Sequence, residues 1–360
     1  MMRRGFLRLR SSSAPRRGLL HLGYLRELGF VAMMIGGVLF AQQSFRTPAT
    51  PDHANSHSEQ PVYGMTLTES GKTLWVSRER YGISQINLAD GLETDRWLLF
   101  QSEASFAAHG GDDFTTTMRY GLDRRLDLFR GNETIHSEVL PEVFGVMADT
   151  DVSKNGRVAV VVSNDKAMKV WRVGGDGTQV DGREFVVPDQ LDHVAATPDG
   201  KTIALVSWSH VYLWNVDECR VVTSWKVSHG AAPADRNNRA DTLAWSQDAR
   251  HFAIGFDDGI VRIWNVETQS LTWEHKADAY KATAVAFDST GSKLATGGFD
   301  KQVRVWDLTE NRMLWEREHH SRSIHNLVFA ADDNRLYSGS LDGKVCEWAA
   351  ATGTIMRDLP

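Results

Sequence analysis

Short apolar-rich runs separated by turn-forming residues occupy most of the chain after residue 61. In one stretch, Ser292–Gly298 and Gln302–Leu308 are two such runs, with a turn around Asp300 between them. Runs of this length and spacing predict two strands joined by a tight turn rather than helices. Ala282–Phe287 and Arg312–Arg317 supply a strand on either side. The pattern therefore predicts a unit of four strands.

This four-strand unit recurs along the chain. A bulky or apolar residue is usually followed by Gly after four residues, by Asp nine residues later and by Trp six residues further on. The copies begin 39 to 49 residues apart, which is the length of one supersecondary unit. One four-stranded sheet cannot bury both of its faces, whereas sheets packed radially in a ring can. The sequence therefore predicts an all-β fold, a seven-bladed β-propeller of four-stranded antiparallel blades. The copies begin at Leu67, Phe106, Val152, Ala196, Trp245, Phe287 and Phe329.

The last three copies carry a specific motif. It reads GFDDGIVRIWN at Gly255–Asn265, GGFDKQVRVWD at Gly297–Asp307 and GSLDGKVCEW at Gly339–Trp348. These strings resemble WD-repeats of the transducin beta-subunit type, over residues 62 to 360. The motif weakens towards the N-terminus, where Arg80 and Ile86 occupy the Asp and Trp positions of the first copy. The resemblance implies a non-enzymatic scaffold that binds another protein or peptide on a propeller face.

The same resemblance implies a buried hydrogen-bonded set in each blade, formed by the turn Asp, a loop His, a strand Ser or Thr, and the Trp. The last copy matches this set fully, whereas the His position falls at Asp278 in the copy before it and at Arg236 one copy earlier. A buried carboxylate or indole N–H without a partner would cost about 1–3 kcal/mol. We therefore interpret these residues as structural rather than catalytic. They are Asp342, His320, Ser338, Trp348, Asp300, Trp306, Asp258, Trp264, Asp165 and Trp171.

Catalytic motifs are absent from the sequence. It contains no GxSxG elbow, no HExxH and no phosphate-binding Gly-rich loop before a helix. Thr268–Trp273 and Glu310–Trp315 are similar to the blade motif of quinoprotein dehydrogenase propellers, but the motif Gly is missing from both. The sequence thus predicts no enzyme and no cofactor. Two alternatives stay open: an exported propeller with a small-molecule or cofactor site at the central channel, and a passive structural subunit of an envelope assembly.

The metal-ligating residues form no sequence motif either. The two cysteines, Cys219 and Cys346, are far apart and show no CxxC or zinc spacing. His229, His319, His320 and His325 are spread over two predicted loops and a strand. No metal site is predicted from this pattern.

Candidate binding residues lie in the predicted loops, because the strands of a propeller are occupied with packing. The longest departure from the repeat is Ser228–Asp241, which carries Arg236 and Arg239; a tolerated surface insertion is the alternative interpretation. An exposed Phe299 or Leu341 would indicate a protein-binding patch, whereas burial of both would remove that argument. Five residues beside the turn Asp positions are expected to rim one face: Arg124, Lys166, Phe299, Lys301 and Leu341.

Charge is distributed unevenly along the chain. Residues 1–46 hold eight Arg and one Glu, a net charge of +7. The whole chain has 40 basic and 46 acidic residues, so the remainder holds 32 basic and 45 acidic residues, a net charge of −13. An acidic propeller is a poor nucleic-acid binder, so no nucleic-acid partner is predicted. Its charge favours a basic protein or peptide as partner, although acidity also serves solubility.

The N-terminal part differs from the rest. Residues 1–41 form an Arg-rich leader, and its residues 28–41 carry no charge. A helix of that length would span ~21 Å, short of the ~30 Å hydrocarbon core. This pattern predicts a signal peptide or an uncleaved signal anchor, and Arg3–Arg8 leaves the twin-arginine route open beside the general one. We therefore expect an extracytoplasmic protein, exported or membrane-anchored through this segment alone, with a cytoplasmic location as the alternative.

Two expectations concern the ends of the ring. Residues 42–61 predict a disordered polar linker, and no strand is visible between Gln42 and Pro61. The chain is expected to end with an outer strand of its own, Thr354–Leu359. Closure is therefore expected by packing of the last copy against the first.

Overall fold

The computed structural model describes residues 46–48, 60–68, 71–78, 82–97, 106–111, 114–120, 125–130, 133–144, 147–174, 179–227 and 239–360. All of them belong to one compact unit, Ser44–Pro360. The predicted leader, 1–41, lies outside the described residues, as does most of the predicted linker, 42–61. The domain boundaries proposed from the sequence therefore stay predictions.

The described chain folds into antiparallel sheets, each made of strands that are close in sequence. The N-terminal sheet contains β1 (Arg46–Pro48), β2 (Val62–Leu67), β3 (Thr73–Arg78), β4 (Gly82–Asn87) and β5 (Glu93–Trp97). The next two sheets contain β6 (Phe106–Gly111), β7 (Phe114–Tyr120), β8 (Arg125–Arg130) and β9 (Glu133–Val139), then β10 (Met147–Val152), β11 (Val158–Ser163), β12 (Ala167–Val173) and β13 (Val180–Val186). A 3-10 turn, Glu142–Phe144, precedes β10.

The C-terminal sheets follow the same order. They contain β14 (His193–Ala196), β15 (Thr202–Val206), β16 (His210–Asn215) and β17 (Arg220–Lys226), then β18 (Ala240–Trp245), β19 (His251–Phe256), β20 (Ile260–Asn265) and β21 (Ser270–Lys276). The penultimate blade is β22 (Ala282–Phe287), β23 (Lys293–Gly298), β24 (Gln302–Asp307) and β25 (Arg312–Glu318). The last blade is β26 (Ile324–Phe329), β27 (Arg335–Ser340), β28 (Val345–Ala349) and β29 (Thr354–Leu359).

The predicted set of seven four-stranded blades is wrong. Among the described strands six sheets are four-stranded blades, whereas the N-terminal sheet has five strands in the order β1-β5-β4-β3-β2. Strand β1 pairs antiparallel with β5, which places Arg46 opposite Trp97 and Pro48 opposite Asp95. The unpaired backbone groups of an outer strand invite such an addition, and Pro is tolerated at a sheet edge.

The expectation that no strand lies between Gln42 and Pro61 is wrong for the same reason. Strand β1 has three residues and ends in Pro48, so it carries no alternating pattern that could reveal it. Its position depends on the free edge of β5, which is a property of the assembled sheet. A local sequence pattern therefore does not predict it.

The blades close into a ring through their innermost strands. Strands β2, β6, β10, β14, β18, β22 and β26 contact one another in succession, and β26 contacts β2. At this junction Val62, Tyr337 and Leu359 pack in one buried apolar cluster, and the Arg78 guanidinium donates a hydrogen bond to the carbonyl of Pro360 at 2.5 Å. Strand β29 therefore completes the last blade, which packs against the N-terminal sheet.

The core lies between neighbouring sheets. The third strand of a blade is buried almost throughout, and Trp171, Trp264 and Trp348 in β12, β20 and β28 are among its largest fully buried side chains. The outer strands alternate, as in β17, where exposed and half-buried residues succeed one another. Outer strands are therefore buried on one face only, which is the pattern expected at the rim of a ring.

Candidate interaction face and central channel

Antiparallel pairing places three kinds of segment on the same face of the ring. These are the start of each innermost strand, the turn between the second and third strands, and the loop after the outer strand. We call this side the turn face. The innermost strands end at the opposite face. Residues far apart in sequence can therefore meet at the turn face.

Large apolar side chains are exposed on the turn face. Phe299, in the turn between β23 and β24, is 43% exposed, and Tyr280, in the loop before β22, is 67% exposed. Trp208, in the turn between β15 and β16, is 47% exposed. Leu341 is half-buried in the corresponding turn of the last blade. Exposed aromatic side chains of this kind are typical of protein-binding surfaces.

Phe299 has polar neighbours. The Lys281 ammonium lies 5.8 Å from the centre of the Phe299 ring, and the His325 ring lies 6.2 Å from it. Lys281 also pairs with Asp257, and its Nζ lies 3.7 Å from Asp241. Phe299 is thus linked through Lys281 to the carboxylates at the channel.

The turn face also carries two lysines in an unusual backbone conformation. The residue after the turn Asp has a positive φ in four blades, at Lys166 (62°), Gly259 (73°), Lys301 (69°) and Gly343 (87°). Glycine adopts this conformation without strain, whereas a residue with a side chain is disfavoured there by about 1–2 kcal/mol. Both lysines are exposed, and Lys166 Nζ donates a hydrogen bond to the Pro188 carbonyl at 3.1 Å.

The remaining predicted contact residues divide into two groups. Arg239 is exposed and pairs with Asp192, a carboxylate that is 7% exposed. The hydrogen bond that Arg239 donates to Asp192, together with the negative charge of Asp192, raises the pKa of Arg239 above its ordinary value. Arg236 and Arg124 lie outside the described residues. The structure therefore brings Phe299 and Lys301 together in one turn but places Arg239 beside a different blade.

A central channel of about 540 Å³ runs between the innermost strands. Near the turn face its lining includes Asp149, His193, Asp241 and His325. Near the opposite face the lining includes Asp151, Lys154 and Asp288, together with the large or aliphatic residues that end six of the innermost strands. These residues are Leu67, Val152, Ala196, Trp245, Phe287 and Phe329.

Hydrogen bonds hold two carboxylates of the channel lining, Asp149 towards the turn face and Asp151 towards the opposite face. Asp149 Oδ2 lies 3.1 Å from His193 Nδ1 and accepts the Val194 N–H at 3.0 Å. Asp151 Oδ2 accepts the Ala196 N–H at 2.7 Å. Each carboxylate therefore bridges β10 to β14, the innermost strand of the neighbouring blade.

Burial shifts the protonation of these groups. It raises the pKa of Asp151 to about 7, against the hydrogen bonds from Ala196 and Val152. Burial also lowers the pKa of His193, but the hydrogen bond and charge of Asp149 outweigh this effect and leave it raised. Burial and the adjacent Asp257 raise the pKa of Asp241. A cationic group at the turn-face mouth would stabilise the charged form of Asp241.

Sequence analysis did not identify these channel residues. Asp149 and His193 stand three positions before the first residue of their repeat, and Asp241 and His325 stand four positions before theirs. The repeat register could therefore have aligned them at the start of the innermost strands. Their acidic character differs from copy to copy, so no single motif marks them.

The set of residues that locks the last blade comes together as a chain of hydrogen bonds. His320 Nδ1 lies 3.2 Å from Asp342 Oδ2, and His320 Nε2 lies 2.7 Å from Ser338 Oγ. The indole N–H of Trp348 donates to Ser338 Oγ at 2.8 Å. The side chains of His320 and Asp342 are 0% and 4% exposed. The pair is therefore enclosed within the last blade and hydrogen-bonded to it.

The other blades use different partners. Trp306 donates its indole N–H to Thr296 Oγ1 at 3.0 Å, while Asp300 pairs with Arg304 at 2.7 Å. Trp171 donates instead to Glu138 of the neighbouring blade at 2.9 Å. Asp165 and Asp258 act through their turns. The Asp165 N–H donates to Ser163 Oγ at 3.3 Å, Asp258 Oδ1 accepts the Ile260 N–H at 2.9 Å, and Trp264 is fully buried.

Comparison with known proteins identifies two likenesses. The family model described as "Nucleolar protein 10-like, N-terminal domain" matches residues 159–359. The chain is also 21% identical over 126 residues to "Small ribosomal subunit protein RACK1" of Candida albicans. That match covers 35% of this chain and 39% of the relative, so it spans well under half of that protein.

These comparisons overturn one expectation. One similar protein is named for the nucleolus and the other for the small ribosomal subunit. Both names contradict the extracytoplasmic location that the leader suggested. That expectation depended on composition alone, because an Arg-rich start and a short apolar run are not specific to export. In the part of the chain that the structure describes, no helix has the length and apolarity needed to cross a bilayer.

Proposed function

We propose a function for this chain on the basis of its family: it belongs to the family described as "Nucleolar protein 10-like, N-terminal domain", a family of WD-repeat β-propeller proteins. The proposed function is that of a non-enzymatic scaffold. It binds another protein or peptide on its turn face. The observation that carries this proposal is the exposure of Phe299 and Tyr280 beside an acidic channel mouth. Strongly bound interfaces combine such aromatic anchors with a charged rim.

The charges of the turn face favour a partner segment that carries Lys or Arg. Among the described residues at the mouth, the carboxylates of Asp149 and Asp241 line the channel. The neighbouring Lys281 pairs with Asp257 and lies 3.7 Å from Asp241. A basic side chain entering the mouth would meet Asp149 and Asp241, while Phe299 would pack against its apolar stem.

The rim of this surface is proposed to include the lysines and the half-buried leucine of the turns. Lys166 and Lys301 are exposed in backbone conformations that favour glycine. This supports the proposal that their side chains take part in binding. Leu341 and Arg239 extend the rim on either side. Arg236 and Arg124 stay candidates from the sequence alone.

A second candidate function is a small-molecule site within the channel. Its volume of about 540 Å³ lies within the ~300–1,000 Å³ range of ligand pockets. The raised pKa of Asp151 is a further feature of such sites. We favour the scaffold because the exposed aromatic residues lie outside the channel, where a small ligand would not cover them.

The test is site-specific photo-crosslinking of the full chain in an extract of its native source. A crosslinking phenylalanine analogue in place of Phe299 is expected to capture a reproducible partner through a segment that contains Lys or Arg. The matched control is the same analogue in place of Met313, which is 42% exposed on the outer strand of the same blade. Equal adducts from both positions, or none from Phe299, would contradict the proposal.

A second variant tests the acidic mouth separately. The double substitution Asp149→Asn and Asp241→Asn is expected to reduce the adduct at Phe299 by about tenfold, equivalent to about 1.4 kcal/mol of binding free energy. An unchanged adduct would leave the scaffold intact and reject the basic partner. Loss of a bound small molecule without any effect on the adduct would instead favour the channel-ligand function.

A further inference from the structure

Three metal-ligating side chains meet on the outer half of the last blade. His319 Nε2 lies 2.9 Å from Asp358 Oδ1, and Cys346 Sγ lies 3.2 Å from the same oxygen. The three ligand atoms all lie within 4.8 Å of one another. No other such group of three is found among the described residues. The trio stands apart from the channel, which is lined by the innermost strands.

The fold of the last blade brings these side chains together. Cys346 in β28 and Asp358 in β29 are directly opposite each other in the antiparallel register. His319 is the first residue after β25, and its ring contacts Trp348 edge-on at 6.1 Å. The next residue, His320, is held by Asp342 and Ser338. The His319 backbone is therefore anchored by the set that locks the blade.

The separations suit a tetrahedral zinc ion. Zinc binds His nitrogen at ~2.0–2.1 Å, thiolate sulfur at ~2.3 Å and carboxylate oxygen at ~2.0–2.2 Å. Tetrahedral geometry then places the ligand atoms ~3.3–3.6 Å apart. The observed distances of 2.9 Å and 3.2 Å and the 4.8 Å limit are close to this range. Small rotations of His319 and Asp358, which are both partly exposed, would accommodate the ion.

The donor types select the metal. A thiolate together with an imidazole favours zinc over magnesium or calcium, which require oxygen ligands. Three protein ligands leave a fourth position open. Asp358 is 44% exposed, so water can reach that position.

Without metal, the trio is a hydrogen-bonded group. The Cys346 S–H donates a hydrogen bond to Asp358 Oδ1. Zinc binding would require that proton to leave, because the thiolate is the ligand. One proton would pass to solvent for each ion bound. The second oxygen of Asp358 lies 3.8 Å from Lys344 Nζ, so this lysine does not contact the oxygen shared by the trio.

We propose that His319, Cys346 and Asp358 form a zinc-binding site. The bound ion joins β28 and β29 to the segment that follows β25, and so fastens the outer part of the last blade to the penultimate blade. This site is independent of the proposed binding of a protein partner on the turn face.

The test is titration of the metal-free full chain with Co²⁺, followed by displacement with Zn²⁺. One equivalent of Co²⁺ is expected to produce a thiolate-to-cobalt charge-transfer absorption, and Zn²⁺ to abolish it. Cys346→Ser and His319→Asn are expected to remove the absorption. The matched control is Cys219→Ser, because Cys219 is the only other cysteine in the chain and is partly exposed in a different blade.

Several outcomes decide the matter. Absence of the charge-transfer absorption, or its persistence in Cys346→Ser, would show a hydrogen-bonded trio only and overturn the proposal. If Cys346→Ser does not fold, His319→Asn decides, since His319 is a partly exposed loop residue. Folded His319→Asn that retains Zn²⁺ affinity within twofold of the wild type overturns the proposal, whereas a loss of tenfold or more supports it. Release of about one proton per ion is the further expected result.

Discussion

The penultimate and last blades hold the same turn with different chemistry. In the last blade, the buried His320 imidazole connects Asp342 to Ser338 and has a hydrogen-bond partner at each ring nitrogen. In the penultimate blade the equivalent of His320 is Asp278, which is 2% exposed and adjacent to Asp300. One blade thus buries a base against an acid, and the other buries two acids.

The two acids are held by backbone groups and by one arginine. Asp278 accepts the N–H groups of Tyr280 at 2.7 Å and Asp300 at 3.1 Å. Arg304 Nη2 lies 2.7 Å from Asp300. Burial and the hydrogen bond with Asp300 raise the pKa of Asp278 to about 7. The penultimate blade therefore depends on a proton that the last blade does not need.

This difference between the two blades indicates which part of the turn face can respond to pH. Tyr280 and Phe299, the exposed aromatic residues of the proposed binding surface, belong to the loop and turn held by Asp278 and Asp300. The last blade presents only the half-buried Leu341 in the same place. The pair of buried acids in the penultimate blade thus lies beneath the part of the turn face that exposes Tyr280 and Phe299.

The largest expected effect comes from breaking the lock of the last blade. His320→Ala removes the imidazole partner of the buried Asp342 carboxylate and leaves it only backbone N–H groups and the Ser321 hydroxyl. We expect the free energy of unfolding to fall by about 3 kcal/mol. Urea unfolding measures this change. The control Ser321→Ala alters an exposed hydroxyl beside the same carboxylate and should change stability by at most about 0.5 kcal/mol. Equal effects of both changes would contradict the assigned role.

The second prediction concerns how closely atoms pack around Asp278 in the penultimate blade. A Cβ on Gly298 would lie 1.9 Å from the Lys281 carbonyl and 2.4 Å from Asp278 Oδ2, whereas the last blade has Ser340 at the same register. Gly298→Ser should therefore lower the free energy of unfolding by about 3 kcal/mol. The control Gly291→Ala concerns a site where a Cβ has room, although its positive φ adds a cost of about 1 kcal/mol. Thermal unfolding of both variants measures the difference, and a smaller loss in Gly298→Ser would contradict the packing argument.

The third effect is the pH dependence of the penultimate blade. The folded chain holds the Asp278 proton up to about pH 7, whereas the unfolded chain releases it near the ordinary value of 3.8. Between these values the native state binds more protons, so stability falls as pH rises. The stability that the wild type loses between these pH values should be smaller in Asp278→Asn by about 2 kcal/mol. An isolated carboxyl group would give a larger difference, but the titration of Asp278 is coupled to that of Asp300. Unfolding curves of wild type and variant at pH 4.5 and 8 measure it; parallel pH profiles would reject the shared proton.

The smallest effect is the acid response of the last blade, which has the opposite sign. Burial raises the pKa of Asp342, but His320 and the backbone N–H groups outweigh it and hold the pKa below its usual range. Its stabilisation is therefore present above about pH 4 and is lost as pH falls further. Asp342→Asn should cost about 1 kcal/mol at pH 6 and less than half of that at pH 2.5. A cost that does not change with pH would show that the charge of Asp342 is not used.

Local sequence patterns predicted the strands of the C-terminal blades closely. The predicted strands Ala282–Phe287 and Thr354–Leu359 coincide with β22 and β29. Each strand pattern is contained within six or seven residues, and turn residues mark its ends. The register also predicted that Phe299 lies in a turn, whereas its exposure, 43%, was decided by the packing around that turn.

The acidic mouth and the zinc trio could not be predicted in this way. Asp149 and His193 meet across neighbouring blades, 44 residues apart. Cys346 and Asp358 face each other only through strand pairing, and His319 reaches them from the segment after β25. None of these residues forms a spacing motif, because their distances depend on how complete sheets pack.

Local sequence patterns were enough to specify the repeated four-strand unit, the Trp positions of the third strands and the turns that carry Asp. These features follow from alternation and turn chemistry, which act between residues close along the chain. Three other features depend on the assembled ring: the fifth strand of the N-terminal sheet, the acidic channel mouth and the pairing of Asp278 with Asp300. Closing the ring brings sheet edges and innermost strands from distant repeats within hydrogen-bond distance, and no local pattern encodes those contacts.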